Sequence, residues 1–168
     1  MKVLLADNQQ KVITAFKECN SSLEVHLGNP LSFEIDAIVS PANSLGIMNG
    51  GFDAVLRRFF GTYIEQRVRM YLHKYELEVG NAIAITTGHK KIKWVIVSPT
   101  VSAYGAGLSG YPSVSYACAY SSVHAAYQTG AKSLGMTGLG MGAGGLEIRK
   151  AARSQCQAIE DALENLDL

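Results

Sequence analysis

An asparagine and an aspartate lie on either side of a glycine pair in the first third of the chain. Asn43 precedes Gly50 and Gly51, and Asp53 follows them. A carboxamide can hydrogen-bond a sugar hydroxyl, and a carboxylate can orient or deprotonate a water molecule. A carboxylate in a first helical turn also interacts favourably with the helix dipole without any chemical role. The pair indicates a site for a hydroxylated ligand, in which Asp53 has either a catalytic or a structural role.

Residues 36–61 should form the strand, loop and helix that position these two side chains. The short apolar run at 37–39 predicts a strand buried on both faces, which Pro41 ends. Apolar residues then recur at helical spacing as far as Gly61, the expected C-terminal stop. A strand, a glycine loop and a helix N-terminus together form an anion-binding site.

A second glycine-rich loop, residues 138–145, follows a predicted strand at 133–136 and precedes a final helix. Gly140, Gly142 and Gly145 match the G-x-G-x-x-G spacing of dinucleotide-binding folds. That motif requires a further strand with an acidic residue about 20 positions on, whereas this sequence predicts only one helix after the loop. A hydride-transfer enzyme is therefore disfavoured. Two glycine loops still suit a diphosphate, because glycines let backbone N–H groups approach an anion.

Other common chemistries lack their motifs. Neither loop carries the lysine of a Walker motif, and no serine occurs in a G-x-S-x-G turn. The four histidines and three cysteines show no metal-ligand spacing, so we predict neither a metal site nor a cofactor. The cysteines are expected to be reduced and packed in apolar surroundings.

Composition limits the partners and the location. The chain has 168 residues, of which 17% are charged, and a formal net charge of +1, so a nucleic-acid surface is not expected. No apolar run reaches the roughly 18 residues that a bilayer span requires, and the N-terminal run is too short for a signal peptide. We therefore expect a single cytoplasmic domain over residues 1–168 that does not bind membranes.

Strands and helices alternate along the chain. This order predicts an α/β sandwich with a largely parallel sheet and a ligand site beyond the carboxyl ends of its strands. The short connection between the predicted strands 81–86 and 94–97 allows these two strands to form an antiparallel hairpin. The predicted strands cover residues 2–6, 23–27, 37–40, 81–86, 94–97 and 133–136.

Two helix starts resemble capping boxes, and one long loop resembles a lid. Asp7 with Gln10, and Thr62 with Glu65, have the spacing of a capping residue and its partner. Glycines and tyrosines alternate in residues 98–112, a pattern typical of mobile flaps. Tyr104 and Tyr111 are the aromatic candidates to cover a ligand.

The run from Asp36 to Asn43 resembles the strand of macro domains, the ADP-ribose-binding modules, that ends in N-A-A-N. Residues 50–53 and the loop 138–145 match the same family, and the likeness extends from Leu23 to the last helix. The resemblance implies a three-layer α/β/α sandwich with a mixed sheet of about six strands. It also implies that ADP-ribose, free or attached to a protein or small molecule, lies in a cleft across the crest of the sheet.

The resemblance assigns ligand contacts to both glycine loops. Asn43 would contact the distal ribose, the first loop would approach it, and the second loop would cradle the diphosphate. Asn29 takes the position of the adenine-binding aspartate of the family. The other implied ligand-binding residues are Pro41, Ala42, Gly50, Gly51, Gly138, Leu139, Gly140, Met141, Gly142, Ala143 and Gly144.

The resemblance is compatible with three alternative activities. In ADP-ribosyl hydrolases of the family, residues matched here by Asn43 and Asp53 place the ribose and the attacking water. The chain departs from the family at Ser40, which replaces the first asparagine of N-A-A-N, and at residues 47–49, which interrupt the glycine run. The alternatives are an ADP-ribosyl hydrolase, a non-catalytic ADP-ribose reader, and an ADP-ribose-1″-phosphate phosphatase of the bacterial and phage type. The sequence leaves the oligomeric state undetermined.

Overall fold

A computed structural model describes residues 1–102, 111–142 and 145–167. In these ranges strands and helices alternate as predicted, and a short 3-10 turn, Pro30–Ser32, follows the second strand. The elements are β1 (Lys2–Asp7), α1 (Gln10–Glu18), β2 (Glu24–Leu27), β3 (Ala37–Ser40), α2 (Gly51–Phe60), α3 (Tyr63–Tyr75), β4 (Ile83–Thr86), β5 (Trp94–Val97), α4 (Ser113–Gln128), β6 (Ser133–Met136) and α5 (Ile148–Leu166).

The strands form a six-stranded sheet in the order β2-β1-β6-β3-β5-β4. Five strands run parallel, and β4 pairs antiparallel with β5 at one edge. The predicted mixed, largely parallel sheet and its hairpin are confirmed. Because β1, β3 and β6 are parallel neighbours in the centre, their carboxyl ends lie side by side along the same side of the sheet, at the ends of the strands.

Helices cover both faces of the sheet. The side chains of β3 alternate between them, since Ala37 and Val39 pack with α1, α4 and α5 while Ile38 packs with α2 and α3. All four residues of β3 are buried. This confirms the three-layer sandwich and explains why the first three residues of β3 are all apolar.

The start of α2 follows the prediction, and so does its end. Gly51 opens the helix, Asp53 lies in its first turn, and the chain leaves the helix at Gly61 with φ +97°. A positive φ of this kind favours glycine, which has no Cβ to clash with the backbone. Glycines therefore mark both the beginning and the end of α2.

Both predicted capping boxes are wrong. The N-cap of α1 is Gln9 and that of α3 is Thr62, and neither side chain caps its helix. The carboxylate of Asp7 instead accepts from Gln9 N at 2.9 Å and from Gly138 N at 3.0 Å, and that of Glu65 accepts from Met48 N at 2.5 Å. Each carboxylate binds a loop from another part of the chain, a contact that local spacing does not reveal.

None of the helices within the described ranges is long and apolar enough to cross a bilayer.

Candidate functional site

A cleft of about 490 Å³ lies at the edge where β1, β3 and β6 end. Parallel α/β sheets commonly bind ligands in this position, beyond the carboxyl ends of their strands. Both glycine loops border the cleft. Its polar lining residues are Asp7, Asn8, Gln9, Asn29, Asn43, Asn49, Asp53, Thr100 and Thr137.

Asp53 lines the cleft from the first turn of α2, and only 5% of its surface is exposed. The Ser40 hydroxyl donates to Asp53 Oδ1 at 2.6 Å. Burial raises the pKa of Asp53 from its ordinary 3.8 to about 6, the hydrogen bond from Ser40 opposes this rise, and the charge of Glu65 adds to it. A carboxylate with a pKa this close to neutrality can accept a proton from water or a hydroxyl group.

Asn43 lines the same cleft, and its carboxamide closes the loop that follows β3. Asn43 Nδ2 donates to the Ile47 carbonyl at 2.8 Å, while Oδ1 accepts from Leu45 N at 3.1 Å and from Ile47 N at 3.2 Å. An amide nitrogen carries two hydrogens, so Asn43 can brace the loop and still donate to a ligand.

Residues 47–49, which interrupt the glycine run, form part of the cleft wall. Ile47 and Asn49 line the cleft, whereas Met48 is fully buried among residues of α2 and α3. The Met48 N–H donates to Glu65 on α3. The interruption is therefore anchored to the core at its middle residue and presents its outer two residues to the cleft.

Two glycines of the cleft are required neither by packing nor by backbone conformation. A Cβ added to Gly50 or Gly142 would meet no described atom within 4 Å, and neither residue has a positive φ. Both line the cleft. Their small size leaves room for a ligand to approach the backbone.

Other glycines of the two loops have structural reasons. Gly51 has φ +57°, and a Cβ on Gly138 would lie 2.8 Å from Val12 Cγ1. Gly140 combines φ +77° with a Cβ position only 2.6 Å from Leu146 Cδ1. These residues determine the shape of the loops that border the cleft.

Of the remaining predicted site residues that the structure describes, some line the cleft and others lie in the core. Pro41 and Asn29 line the cleft, and Asn29 Oδ1 also accepts from Leu31 N at the start of the 3-10 turn. The other three described residues that were predicted to bind the ligand are buried and do not line the cleft, because their side chains pack into the core. They are Ala42, Leu139 and Met141.

The second loop and the predicted lid are only partly described. The Leu139 N–H donates to Gln155 Oε1, so this amide is already used within the fold. Tyr111, 62% exposed before α4, does not line the cleft. Tyr104, Ala143 and Gly144 lie outside the described residues.

Sequence reasoning missed the contribution of β1 to the cleft. Asp7 lines it from the last position of this strand, Asn8 and Gln9 line it directly after the strand, and Thr137 does so directly after β6. The parallel rule could have found them, since the ends of neighbouring parallel strands share one edge. Assigning Asp7 to a helix cap concealed this position.

The groups at the cleft suit an anionic, hydroxylated ligand. Amides and hydroxyls can hydrogen-bond a sugar, glycine backbones can approach phosphate, and Asp53 can accept a proton. Among the described residues, no group of three or more histidine, cysteine, aspartate or glutamate side chains could hold a metal ion.

Sequence comparison identifies relatives over most of the chain. The sequence model of the macro domain family matches residues 39–155. An uncharacterised protein of Aeropyrum pernix is 32% identical over 137 residues, which cover 81% of this chain and 69% of the relative. A macro domain-containing protein of Caldanaerobacter subterraneus subsp. tengcongensis is 30% identical over 140 residues, with coverage of 82% and 78%.

Solved macrodomains share the fold. The macrodomain of Mycobacterium tuberculosis DarG superposes with a TM-score of 0.67 at 21% identity and covers 83% of this chain and 88% of its own. A Trypanosoma brucei macrodomain in complex with ADP-ribose gives 0.66 at 21% identity, with coverage of 82% and 56%.

The family match begins within β3 and includes the first loop with Asn43 and Asp53 and the second glycine loop. Both loops line the cleft. The chain belongs to the macro domain family.

Proposed function

We propose that the cleft binds ADP-ribose or an ADP-ribosyl derivative, with the diphosphate at the second glycine loop and the distal ribose near Asn43 and Asp53. The observation that carries this proposal is that one cleft joins both glycine loops to a buried carboxylate. Its volume of about 490 Å³ suits a small-molecule ligand. Trypanosoma brucei macrodomains of the same fold were solved with ADP-ribose and with ADP, which supports the choice of ligand.

We further propose that the chain hydrolyses an ADP-ribosyl linkage. Asp53 accepts a proton from a water molecule whose oxygen attacks the anomeric carbon of the distal ribose or, in an O-acetyl ester of that ribose, the acyl carbon. The bond from the attacked carbon to the leaving group breaks, and the leaving group takes the bond electrons and the proton that Asp53 accepted. Asn43 orients the ribose. The raised pKa of Asp53, about 6, supports this role because a general base works best when its pKa lies near the operating pH.

One observation favours a second candidate, a reader that binds ADP-ribose without cleaving it. The carboxamide of Asn43 makes three hydrogen bonds within its own loop, and Asp53 binds Ser40. Both residues thus have structural roles that do not require catalysis. An ADP-ribose-1″-phosphate phosphatase would use the same cleft and would release inorganic phosphate.

Calorimetric titration with free ADP-ribose tests the binding that the candidate functions share. We expect saturable heat with one ligand per chain, and weaker binding of adenosine, which lacks the diphosphate. No detectable heat at millimolar ADP-ribose would contradict the whole proposal.

Turnover assays then separate the candidates. Release of ADP-ribose from ADP-ribosylated protein or from O-acetyl-ADP-ribose supports hydrolysis, provided that Asp53→Ala abolishes the release and retains binding. Phosphate release from ADP-ribose-1″-phosphate identifies the phosphatase. Binding without turnover of any of these substrates leaves the reader.

A further inference from the structure

Ser40 connects the end of β3 to the first turn of α2. Its hydroxyl donates to Asp53 Oδ1 at 2.6 Å across a sequence separation of 13 residues. Ser40 is 0% exposed and Asp53 is 5% exposed. A hydrogen bond between a hydroxyl and a carboxylate is strong in such a buried setting, because the local dielectric constant is low and one partner is charged.

The two residues differ in their relation to the cleft. Asp53 lines it, whereas Ser40 does not. Ser40 is fixed by the sheet, since its carbonyl accepts from Ser98 N at 3.0 Å where β5 continues alongside. A ligand in the cleft would therefore contact Asp53, and Ser40 would act on that ligand only through the carboxylate.

Both burial and a neighbouring negative charge oppose ionisation of Asp53. Burial and the negative charge of Glu65 on α3 both raise the pKa of Asp53. Glu65 is partly balanced by Arg57 on α2, whose Nη1 lies 3.7 Å from Glu65 Oε1. The donor from β3 acts in the opposite direction, because the Ser40 hydroxyl stabilises the carboxylate and lowers the pKa.

We propose that Ser40 is the positioning residue of the hydrolysis proposed above: its hydroxyl fixes one carboxylate oxygen of Asp53 and keeps the group ionised at the cleft, ready to accept a proton. This inference rests on the proposed function. It assigns a role to the position at which the chain departs from the N-A-A-N pattern.

The contact is tested without substrate by a carbon-13 NMR titration of the Asp53 carboxyl group in the full chain, with the signal assigned from Asp53→Asn. In Ser40→Ala the midpoint should rise by about one pH unit, because a donor to the charged form is lost. Ser122→Ala is the matched control, since Ser122 is also fully buried and its hydroxyl has no hydrogen-bond partner among the described residues. An unchanged midpoint in Ser40→Ala would overturn the proposal.

Turnover tests the consequence for the reaction. In Ser40→Ala the acidic limb of the kcat/KM profile, which reports the free enzyme, should move to higher pH by the same amount as the NMR midpoint, while KM above that limb changes little. A moved midpoint with an unmoved kcat/KM profile would overturn the positioning role. A wild-type chain that binds ADP-ribose but cleaves none of the tested linkages overturns the proposed hydrolysis, and the titration still decides whether Ser40 controls Asp53.

A second variant covers the case in which Ser40→Ala does not fold. Ser40→Cys keeps a side-chain atom of similar size but donates a weaker hydrogen bond. Its midpoint should lie above that of the wild type. A midpoint equal to that of the wild type would count against the proposal.

Discussion

Asp53 is a carboxyl group whose position disfavours its charged form. Burial dominates the rise of its pKa to about 6, and the hydroxyl of Ser40 compensates only in part. In the unfolded chain this carboxyl group would have its ordinary pKa of 3.8. The folded protein therefore binds this proton more tightly than the unfolded chain, so stability must depend on pH at this residue.

The Asp53→Asn variant should become more stable relative to the wild type as pH rises. The contribution of protonated Asp53 is fully present below pH 3.8 and is lost as pH rises through about 6. The difference in unfolding free energy between variant and wild type should therefore grow by about 2.5 kcal/mol between pH 4 and pH 8. Urea unfolding at several pH values measures it, with the exposed Asp167→Asn as control. Parallel stability curves for Asp53→Asn and the wild type would contradict the prediction.

At the scale of elements, the glycines of the two loops have two different roles: some allow the loop to pack closely, and others leave space for a ligand. Gly138 and Gly140 permit close packing, whereas Gly50 and Gly142 leave open space beside the cleft. Substitution by alanine should therefore reduce stability at Gly140 but ligand affinity at Gly142, only two residues further on.

Gly142→Ala should weaken ligand binding without unfolding the protein. Its stability should change by less than about 0.5 kcal/mol, because the new methyl group meets no described atom within 4 Å. The Kd for ADP-ribose should rise by about tenfold, as the methyl group occupies space at the cleft. Calorimetry and thermal unfolding measure the two effects. Unaltered affinity would show that the ligand does not approach this part of the loop.

Gly140→Ala is the matched counterpart. Its positive φ and its contact with Leu146 should cost about 2–4 kcal/mol of stability. Chemical denaturation measures the loss. A variant as stable as the wild type would show that the loop rearranges freely.

Glu65 anchors the loop after β3 from α3, so its substitutions should separate charge from hydrogen bonding. Glu65→Gln keeps an acceptor for Met48 N but removes the charge that raises the pKa of Asp53, so the Asp53 midpoint should fall below about 6. Glu65→Ala also removes the acceptor and should cost about 1–3 kcal/mol. Hydrogen exchange at the Met48 amide should accelerate in Glu65→Ala and much less in Glu65→Gln. Equal exchange in the two variants would contradict the anchoring role.

At the scale of the whole molecule, Asp7 connects the first strand to the second glycine loop. Its Oδ2 accepts from Gly138 N, 131 residues later in the chain. Asp7→Ala should destabilise the fold by about 1–3 kcal/mol because it leaves a partly buried N–H without its acceptor. Asp7→Asn, which retains a carbonyl oxygen, should lose less. Urea unfolding compares the two, and equal losses would show that packing rather than this hydrogen bond is responsible.

The sequence predicted those parts of the fold that depend on neighbouring residues. The bounds of β3, β5 and β6 agree with the prediction, because each strand is a short, mostly apolar segment. Asp53 falls in the first turn of α2 as expected. The single-domain organisation and the cytoplasmic location stay predictions.

Contacts between distant residues could not be predicted in the same way. Asp7 and Glu65 have capping-box spacing, yet each binds a backbone N–H of a distant loop. In the sequence, Ser40 is only a departure from the N-A-A-N pattern, and its contact with Asp53 exists only in the folded chain. Such pairings depend on how the sheet brings separate loops together, which spacing along the chain does not encode.

The position of β6 between β1 and β3 has a consequence for synthesis. The pair β1-β2 and the trio β3-β5-β4 share no direct strand pairing, and β6 joins them through Lys2 with Ser133 and Ala37 with Leu134. A growing chain can therefore form two separate half-sheets before residue 133 leaves the ribosome. The ends of β1 and β3 are brought together at the cleft only when β6 enters between them, so the cleft cannot be complete before residues 133–136 have been synthesised.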